Sequence, residues 1–251
     1  SGVSLKSKAY LIKDLDTGEN VLEKNETSAY PIASVTKLIT AMITLDNLTG
    51  DAVVKISKRA VSTYGQQGSL SAGEKLKVTD LVNCLLLESS NDAAEALAEY
   101  FGRDKFLSLM NIEARKLGMA STKFMDPSGL SKENVSTPDD LSKLIAHIEM
   151  NRSDILSITK KRSYQTKTGK GTVGHTWYNI NRLIKDNNSF YLGGKDGFTG
   201  DALMTFAGAF SVPLTEVEQK RFSIALLRSS DRNGDVKKII DRVISSLRDG
   251  N

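Results

Sequence analysis

The sequence predicts an α+β protein in which an antiparallel sheet, covered by helices, carries an inserted and mostly helical lobe. Apolar segments with strand character occur near the start of the chain, within residues 9–23, and return after residue 160. Residues 50–150 between them have mainly helical periodicity. An apolar stripe at helical spacing in residues 235–247 favours a helix packed on the sheet over a helix on a membrane surface, because an antiparallel sheet needs a cover.

The first predicted element is a β-hairpin. Its apolar strands, residues 9–15 and 20–23, flank the turn Asp16-Thr17-Gly18, and an Asp-x-Gly turn between such strands is typical of a hairpin. Residues 34–45, SVTKLITAMITL, are apolar on nearly all sides, which predicts a helix buried in the protein. Ser34 would lie in the first turn of that helix.

Four more helices are predicted in the middle of the chain, followed by strands and a last helix. Glycines end two of these four helices. The fourth of them begins at Thr137-Pro138, with threonine as the N-cap and proline at the first helical position. The first three helices cover residues 79–87, 92–101 and 104–117. The strands cover residues 189–192, 203–210 and 221–228, and the last helix covers residues 235–247.

We expect a single domain over residues 1–251. Its sheet lobe would comprise about residues 1–33 and 160–251, and its helical lobe about residues 34–159. The length is sufficient for one large domain with a sizeable core. Because the sheet lobe is built from both ends of the chain, the helical lobe is an insertion.

Composition excludes several classes of protein. Hydrophobic residues make up 39% and charged residues 25% of the chain, the balance of a globular protein rather than a disordered one. The net charge of +4 arises from interspersed charges, without a basic stripe among aromatics, so we expect no nucleic-acid partner. The single cysteine, Cys84, lies in the apolar run VNCLLL and is predicted to be buried. No apolar stretch has transmembrane length, so any signal or membrane anchor would lie outside these residues.

Ser34 and Lys37 are the first candidates for chemistry. A serine hydroxyl needs a base to become a nucleophile, and neither His147 nor His175 accompanies a serine in a Gly-x-Ser-x-Gly context. The segment SVTK instead puts a lysine three residues after a serine, on one face of the predicted helix. The start of a helix also provides backbone N–H groups for a developing oxyanion. A buried lysine near a second cation would have a lowered pKa and could act as the base.

Two further motifs complete the pattern. Ser89-Ser90-Asn91 lies at a break between two predicted helices, where polar side chains reach a cleft. Lys195-Asp196-Gly197 lies in LGGKDGFTGDA, at the start of a sheet segment. The order SxxK, SxN and KxG is a known set for penicillin-binding proteins and class A β-lactamases. We set aside Lys167-Thr168-Gly169, because it lies in a Gly- and Lys-rich turn without the GFT continuation.

With these motifs the chain resembles the low-molecular-mass penicillin-binding proteins, specifically the D-alanyl-D-alanine carboxypeptidases. The resemblance covers about residues 9–245 and includes YLIKDLDTGENVLEKN, PIASVTKLITA, MDPSGLS, STPDDLSKL, NINRLI and GGKDGFTGDA. It implies a β-lactamase/transpeptidase-like fold with the active site between the sheet and the helical lobe. It also implies a serine peptidase that trims peptidoglycan stem peptides ending in D-Ala-D-Ala, binds β-lactams covalently and acts outside the cytoplasm in the cell envelope. No cofactor or metal is implied.

The resemblance also implies a role for each motif. Ser34 would be the acylated nucleophile, Lys37 its base, and Ser89 the relay of a proton to the leaving group. The oxyanion would be bound by the backbone N–H groups of Ser34 and Phe198. Asn91 would contact the substrate and position Lys37, and Lys195 would add positive charge. The substrate-binding residues implied in this way are Asn91, Lys195, Asp196, Gly197, Phe198 and Thr199.

The third motif departs from the family at Asp196, where the family has threonine or serine. That hydroxyl helps family members to bind the terminal carboxylate of the substrate. A carboxylate in its place repels another carboxylate unless it is protonated or paired with a cation, and we expect Arg228 or Arg232 as the cation. Three alternatives therefore stay open: a catalytically weak or inactive cell-wall-binding homologue, a D,D-endopeptidase, and a serine β-lactamase. The last is disfavoured because the Glu-x-x-Leu-Asn segment of class A enzymes is absent from the sequence.

Overall fold

The computed structural model describes residues 3–65, 67–167, 173–185, 189–213 and 218–249. In chain order, its strands are β1 (Ala9–Asp14), β2 (Asn20–Lys24), β3 (Tyr30–Pro31), β4 (Val53–Lys55), β5 (Lys75–Lys77), β6 (Val135–Ser136), β7 (Ser163–Gln165), β8 (Thr176–Tyr178), β9 (Tyr191–Thr199), β10 (Leu203–Pro213) and β11 (Gln219–Ser229). Its α-helices are α1 (Lys37–Asn47), α2 (Val78–Leu87), α3 (Asn91–Phe101), α4 (Arg103–Lys116), α5 (Pro138–Asn151), α6 (Ser153–Thr159), α7 (Arg182–Lys185) and α8 (Arg232–Asp249). Short 3-10 turns span Ala33–Thr36 and Ala60–Ser62.

The main sheet has the strand order β2-β1-β11-β10-β9, and every neighbouring pair is antiparallel. The first hairpin therefore joins the last strands of the chain, with Leu11 opposite Ala225 in the register of β1 and β11. Helices α5 and α8 both contact β10 and β11. The α+β class with a helix-covered antiparallel sheet is confirmed, while the division into two lobes near residues 33 and 160 stays a prediction.

One face of the sheet is covered by α8, as its apolar stripe predicts. The helix contributes buried apolar residues to a cluster with β10 and β11, in which Phe206 and Phe210 are the largest side chains from β10. The buried residues of α8 are Val236, Ile239, Ile240 and Val243. Burial of each aliphatic side chain of this size stabilises the fold by about 1.5–3 kcal/mol. Among the residues that the structure describes, no helix combines the length and the apolar character needed to cross a membrane.

The predicted hairpin and the middle helices are confirmed, with ends that shift by one or two residues. At the hairpin turn, the Asp14 carboxylate accepts hydrogen bonds from the N–H groups of Asp16 and Thr17 at 2.8 and 3.0 Å. At the start of α5, Thr137 accepts a hydrogen bond from the N–H of Asp140 at 3.1 Å. Cys84 is buried, as predicted, and burial raises the pKa of its thiol.

Strand β9 is longer than the predicted strand over residues 189–192, because its glycines conceal the strand pattern. A Cβ on Gly193 would lie 2.6 Å from the carbonyl oxygen of Leu156 in α6. A Cβ on Gly194 would lie 2.4 Å from the carbonyl oxygen of Ala207 in β10. Glycine disfavours a strand by propensity but is required where another backbone approaches this closely. The strand therefore runs to Thr199 and includes the whole Lys195-Asp196-Gly197 motif.

Helix α6 and the three short strand pairs β3–β6, β4–β5 and β7–β8 were not predicted. Their strands have two or three residues each, and such a length cannot establish a period of two in the sequence. These short strand pairs form where tertiary contacts hold two loop segments together.

The carboxyl group of Asp92 is expected to make the stability of the folded protein depend on pH. Its Oδ1 has no hydrogen-bond partner among the described residues, and burial raises the pKa of the carboxyl to about 6. A carboxyl whose pKa is raised on folding favours the folded state fully below its unfolded pKa, here 3.8, and loses that contribution as the pH rises through about 6. We therefore expect Asp92→Asn to raise the free energy of unfolding more at pH 7 than at pH 4. Urea unfolding of both proteins at the two pH values measures this difference. Asp104→Asn, in the exposed first turn of α4, is the matched control and should show no such difference.

Candidate active site

Ser34 lies in the 3-10 turn that directly precedes α1, not within the α-helix that was predicted to contain it. Ala33 begins this turn with a φ of 49°, and glycine backbones approach it from two sides. A Cβ on Gly129 would lie 1.9 Å from the carbonyl oxygen of Ala33, and a Cβ on Gly197 would lie 2.7 Å from the backbone nitrogen of Ser34. The Ser34 turn is therefore held between the loop of Gly129 and strand β9.

Lys37 is fully buried beneath the cleft and its amine has three close oxygen neighbours. Its Nζ is 2.9 Å from Ser34 Oγ, 2.7 Å from Asn91 Oδ1 and 2.7 Å from the carbonyl oxygen of Ser128. Burial lowers the pKa of Lys37 well below its usual value, and the charge of Lys195 lowers it further, while the carboxylates of Asp126 and Asp196 act in the opposite direction.

The three neighbours of Lys37 would suit a neutral amine. A neutral amine has two N–H donors and one lone pair, and the oxygens of Asn91 and Ser128 can only accept. Both N–H groups are therefore directed to these two oxygens. The lone pair then faces Ser34 Oγ, which is the one neighbour that can donate a proton. In a neutral amine held in this way, the lone pair would be directed at the hydroxyl of Ser34.

The loop that supplies the Ser128 carbonyl is held by Asp126. Asp126 Oδ1 accepts hydrogen bonds from the backbone N–H groups of Ser128 and Gly129 at 2.7 and 2.6 Å, and Oδ2 accepts one from the N–H of Ser131 at 2.6 Å. Sequence reasoning missed this loop as part of the site. The signal was present in Asp126-Pro127-Ser128-Gly129, since an aspartate two or three residues before a glycine is typical of a turn closed by its own side chain.

The second motif lies at the break between α2 and α3, as predicted. Ser89 lies in this break with a φ of 60°. Ser90 accepts a hydrogen bond from the N–H of Ala93 and so caps α3. Asn91 donates from Nδ2 to the carbonyl oxygen of Tyr64 at 2.9 Å, which fixes its amide with Oδ1 toward Lys37. The motif therefore holds the amine of Lys37 through Asn91.

The third motif contains a chain of charges rather than a hydroxyl. Lys195 is buried, and its Nζ lies 2.9 Å from Asp196 Oδ1. Asp196 Oδ2 lies 3.0 Å from an Nη of Arg232. Although burial raises the pKa of Asp196, the charges of Lys195 and Arg232 outweigh it and hold that pKa below its usual value. The pairing expected with Arg228 or Arg232 is thus confirmed for Arg232, whereas Arg228 donates to the carbonyl oxygen of Asp201.

The predicted residues meet at one cleft of about 460 Å³. Lys37 lies beneath its floor, and Phe198 forms part of its rim with 64% of its surface exposed. The predicted residues that line it are Ser34, Ser89, Asn91, Lys195, Asp196, Gly197, Phe198 and Thr199. Lining residues that sequence reasoning missed include Tyr64, Gln67, Glu88 and Ile180, which lie in loops or at element ends without a motif of their own.

Other candidates of the sequence lie away from this cleft. His175 bonds to Glu74 and stacks on the ring of Trp177 at 5.1 Å. Lys167 is exposed, and Thr168 and Gly169 of the rejected motif lie outside the described residues. Within the described part of the chain, no cluster of histidine, cysteine, aspartate and glutamate is arranged to hold a metal ion.

The arrangement of sheet and helices is that of the DD-peptidase and transpeptidase class. It superposes on the crystal structure of a D-alanyl-D-alanine carboxypeptidase from Mycobacterium tuberculosis H37Rv with a TM-score of 0.85 and 26% identity, covering 98% of this chain and 94% of that one. The Streptomyces K15 DD-transpeptidase gives a TM-score of 0.85 at 27% identity, over 96% of this chain and 98% of that one.

The chain belongs to the D-alanyl-D-alanine carboxypeptidase family, whose model matches residues 1–214. This match includes all three motifs. Among curated relatives, a D-alanyl-D-alanine endopeptidase of Pseudomonas aeruginosa is 34% identical over 203 residues, which is 79% of this chain and 65% of the relative. The chain therefore spans slightly less than two thirds of the length of this relative.

Proposed function

We propose that the protein is a serine-type D-Ala-D-Ala carboxypeptidase that removes the terminal D-alanine from peptidoglycan stem peptides. The observation that carries this proposal is the buried Lys37 amine, 2.9 Å from Ser34 Oγ, with its two other neighbours both acceptors. A lysine that is neutral at working pH is the base that a serine nucleophile needs when no histidine is present in the site.

In the proposed acylation step, Ser34 Oγ attacks the carbonyl carbon of the bond between the two D-alanines while Lys37 takes the hydroxyl proton. The backbone N–H groups of Ser34 and Phe198 bind the oxyanion of the tetrahedral intermediate. The C–N bond then breaks, and Ser89 relays to the leaving amine the proton that Lys37 took from Ser34, so that free D-alanine departs and Lys37 is neutral again. The peptide stays bound to Ser34 as an ester.

In the proposed deacylation step, water attacks the ester and the peptide leaves one residue shorter. Lys37 accepts the proton of the water and returns a proton to Ser34 Oγ, by microscopic reversibility with the first step. Lys195 contributes positive charge to the cleft, and Asn91 keeps Lys37 in place through a hydrogen bond of 2.7 Å. The free enzyme is then restored.

The same nucleophile implies covalent inhibition by β-lactams, because their strained amide carbonyl is open to the same attack. When the ring opens, the released amine stays covalently joined to the acyl group in the cleft, and the acyl-enzyme then persists. A substrate in peptidoglycan also implies that the protein works in the cell envelope, outside the cytoplasm. The covalent inhibition and the location in the cell envelope are both inferred from membership of the family.

A D,D-endopeptidase is the second candidate. A relative named D-alanyl-D-alanine endopeptidase is 34% identical to the chain, and cleavage of a cross-link by such an enzyme requires the same nucleophile and base. The two activities differ in the leaving group, which is a single D-alanine in one case and a second stem peptide in the other. The rim of the cleft, including Phe198 and Tyr64, is exposed and would face the larger leaving group.

The proposed activity is tested by the products of two peptides. We expect the purified protein to release D-alanine from N-acyl-L-Lys-D-Ala-D-Ala, measured with a D-amino-acid oxidase assay, and Ser34→Ala to release none. A D,D-cross-linked muropeptide dimer is assayed in parallel by chromatography. Faster cleavage of the dimer would assign the endopeptidase instead. If neither peptide is cleaved although the protein is folded, the inactive cell-wall-binding alternative replaces the proposal.

A further inference from the structure

Asp196 places a carboxylate in the cleft close to the turn that carries Ser34. The backbone of Gly197 packs against the nitrogen of Ser34. Asp196 therefore lies one residue along β9 from the point where this strand contacts the Ser34 turn. The residue that leaves after attack by Ser34 spans only about 3.3–3.6 Å along the chain. Its carboxyl group therefore falls beside the charged side chains of this part of the cleft, which are Lys195, Asp196 and Arg232.

The two cations of this group have little capacity left for a substrate carboxylate. Arg232 donates to the carbonyl oxygens of Gly197 and Thr205 at 3.1 and 3.4 Å and to Asn233 Oδ1 at 3.4 Å, and it pairs with Asp196. These contacts engage all but one of the N–H donors of the guanidinium. Lys195 donates to the backbone oxygen and to Oδ1 of Asp196, both at 2.9 Å, and likewise retains a single N–H.

The carboxylate also changes the charge that a substrate meets. Asp196 neutralises one of the two positive charges and presents its own oxygens, whose remaining lone pairs accept hydrogen bonds but cannot donate them. A substrate carboxylate would be repelled by these oxygens. A primary carboxamide is neutral, donates through its NH₂ group to a carboxylate and accepts through its carbonyl from a free N–H. It matches one acceptor and one donor at this end of the cleft.

We infer that the ion pair of Asp196 and Arg232 makes the cleft bind a substrate whose leaving residue carries a primary carboxamide more tightly than one that carries a free carboxylate. The amidated group is either a terminal one or the carboxyl next to a cross-link, since both lie at the same distance from the attacked carbonyl. The inference rests on the proposed function for the identity of the substrate, and it names the chemical class that this cleft takes.

Binding to a protein that cannot turn over its ligand tests the inference separately from the activity. In the Ser34→Ala background, the dissociation constants of N-acyl-L-Lys-D-Ala-D-Ala and of its C-terminal amide are measured by calorimetry. We expect the amide to bind more tightly than the acid. Adding Asp196→Thr should lower the ratio of acid to amide dissociation constants at least about tenfold, because the threonine releases both cations and donates a hydroxyl to the carboxylate.

Two further variants sharpen the test. Asp196→Asn keeps the shape of the side chain, removes its charge and should lower the ratio in the same direction, and it replaces Asp196→Thr if that variant fails to fold. Asp201→Asn removes a carboxylate from the exposed turn of the same hairpin and should leave the ratio unchanged. The inference is overturned by tighter binding of the acid to the Asp196 protein, by a fall in the ratio smaller than tenfold in a folded Asp196→Thr variant, or by no fall in a folded Asp196→Asn variant. Hydrolysis of either peptide by the protein with Ser34 intact reports on the proposed function alone.

Discussion

Replacing Ser34 by alanine is expected to abolish covalent labelling by a β-lactam and hydrolysis of the D-Ala-D-Ala peptide together. Loss of the nucleophile in a serine peptidase lowers the rate of the chemical step on the order of 10⁶-fold. Here Ser34 Oγ is the hydroxyl within 2.9 Å of the buried amine, so no neighbouring serine can replace it. The measurement is intact-protein mass spectrometry after incubation with a fluorescent penicillin, followed by peptide mapping of the adduct.

The second serine of the cleft gives the matched comparison. Ser89→Ala removes a hydroxyl from the same cleft but leaves the contact between Ser34 and Lys37 in place. We expect this variant to be acylated more slowly and still on Ser34, since Ser89 is the proposed relay of a proton to the leaving group. An adduct mapped to Ser89 or to any other serine in the unmodified protein would contradict the assignment of the nucleophile. Circular dichroism of each variant shows that the fold is retained.

Replacing Lys37 by methionine is expected to lower the acylation rate by about 10²- to 10⁴-fold, the usual contribution of a positioned general base. Methionine has about the length of lysine without the amine, so the buried site keeps most of its packing. Ser34 would then have no base within hydrogen-bonding distance. The rate is measured by stopped-flow quenching of protein fluorescence with a β-lactam in excess. Acylation at an unchanged rate in a folded Lys37→Met protein would exclude the lysine as the base.

The pH dependence of the acylation rate also tests whether Lys37 is the base. The lysine acts as a base only when neutral, and burial together with Lys195 lowers its pKa well below the usual value. The rate should therefore rise with pH through one apparent pKa well below about 10.4, the value of an unperturbed lysine. Lys161→Met is the control, because burial also lowers the pKa of Lys161 but its amine donates to Asn83 outside the cleft. That variant should keep the profile, and a rate independent of pH would contradict a lysine base.

The fold class could be predicted because its signals are local and periodic. The hairpin turn, the cap at Thr137 and the apolar stripe of α8 each follow from a few neighbouring residues, and each is present in the structure. Strand β9 could not be predicted in full, because Gly193 and Gly194 are chosen for the close approach of α6 and β10 rather than for strand propensity. The reason for such a residue lies in a segment that is distant along the chain.

The candidate site, like the fold, could be predicted only in part from the sequence. Its three motifs are recognisable as short patterns, and the structure brings them to one cleft. The carbonyl of Ser128 has no side-chain chemistry to mark it, although it is one of the two acceptors that orient the amine of Lys37. Arg232 was one of two candidates for the partner of Asp196, because both arginines lie on or just after the predicted strand over residues 221–228, and only the folded backbone shows which of them reaches Asp196.

The sequence by itself determined the order of the longer elements, the antiparallel sheet with its helical cover and the three motifs of the candidate site, since helical and strand periods and short motifs depend on neighbours in the chain. Tertiary structure alone decided the direction of the pKa shifts of Lys37 and Asp196 and the partners of both side chains. The pKa of Lys37 is lowered by burial and by Lys195, which is 158 positions away in the sequence (195 minus 37). The charge of Asp196 is held by Arg232 across the end of the sheet. Electrostatic and desolvation energies depend on distance in space and on exclusion of water, and neither quantity exists before the chain is folded.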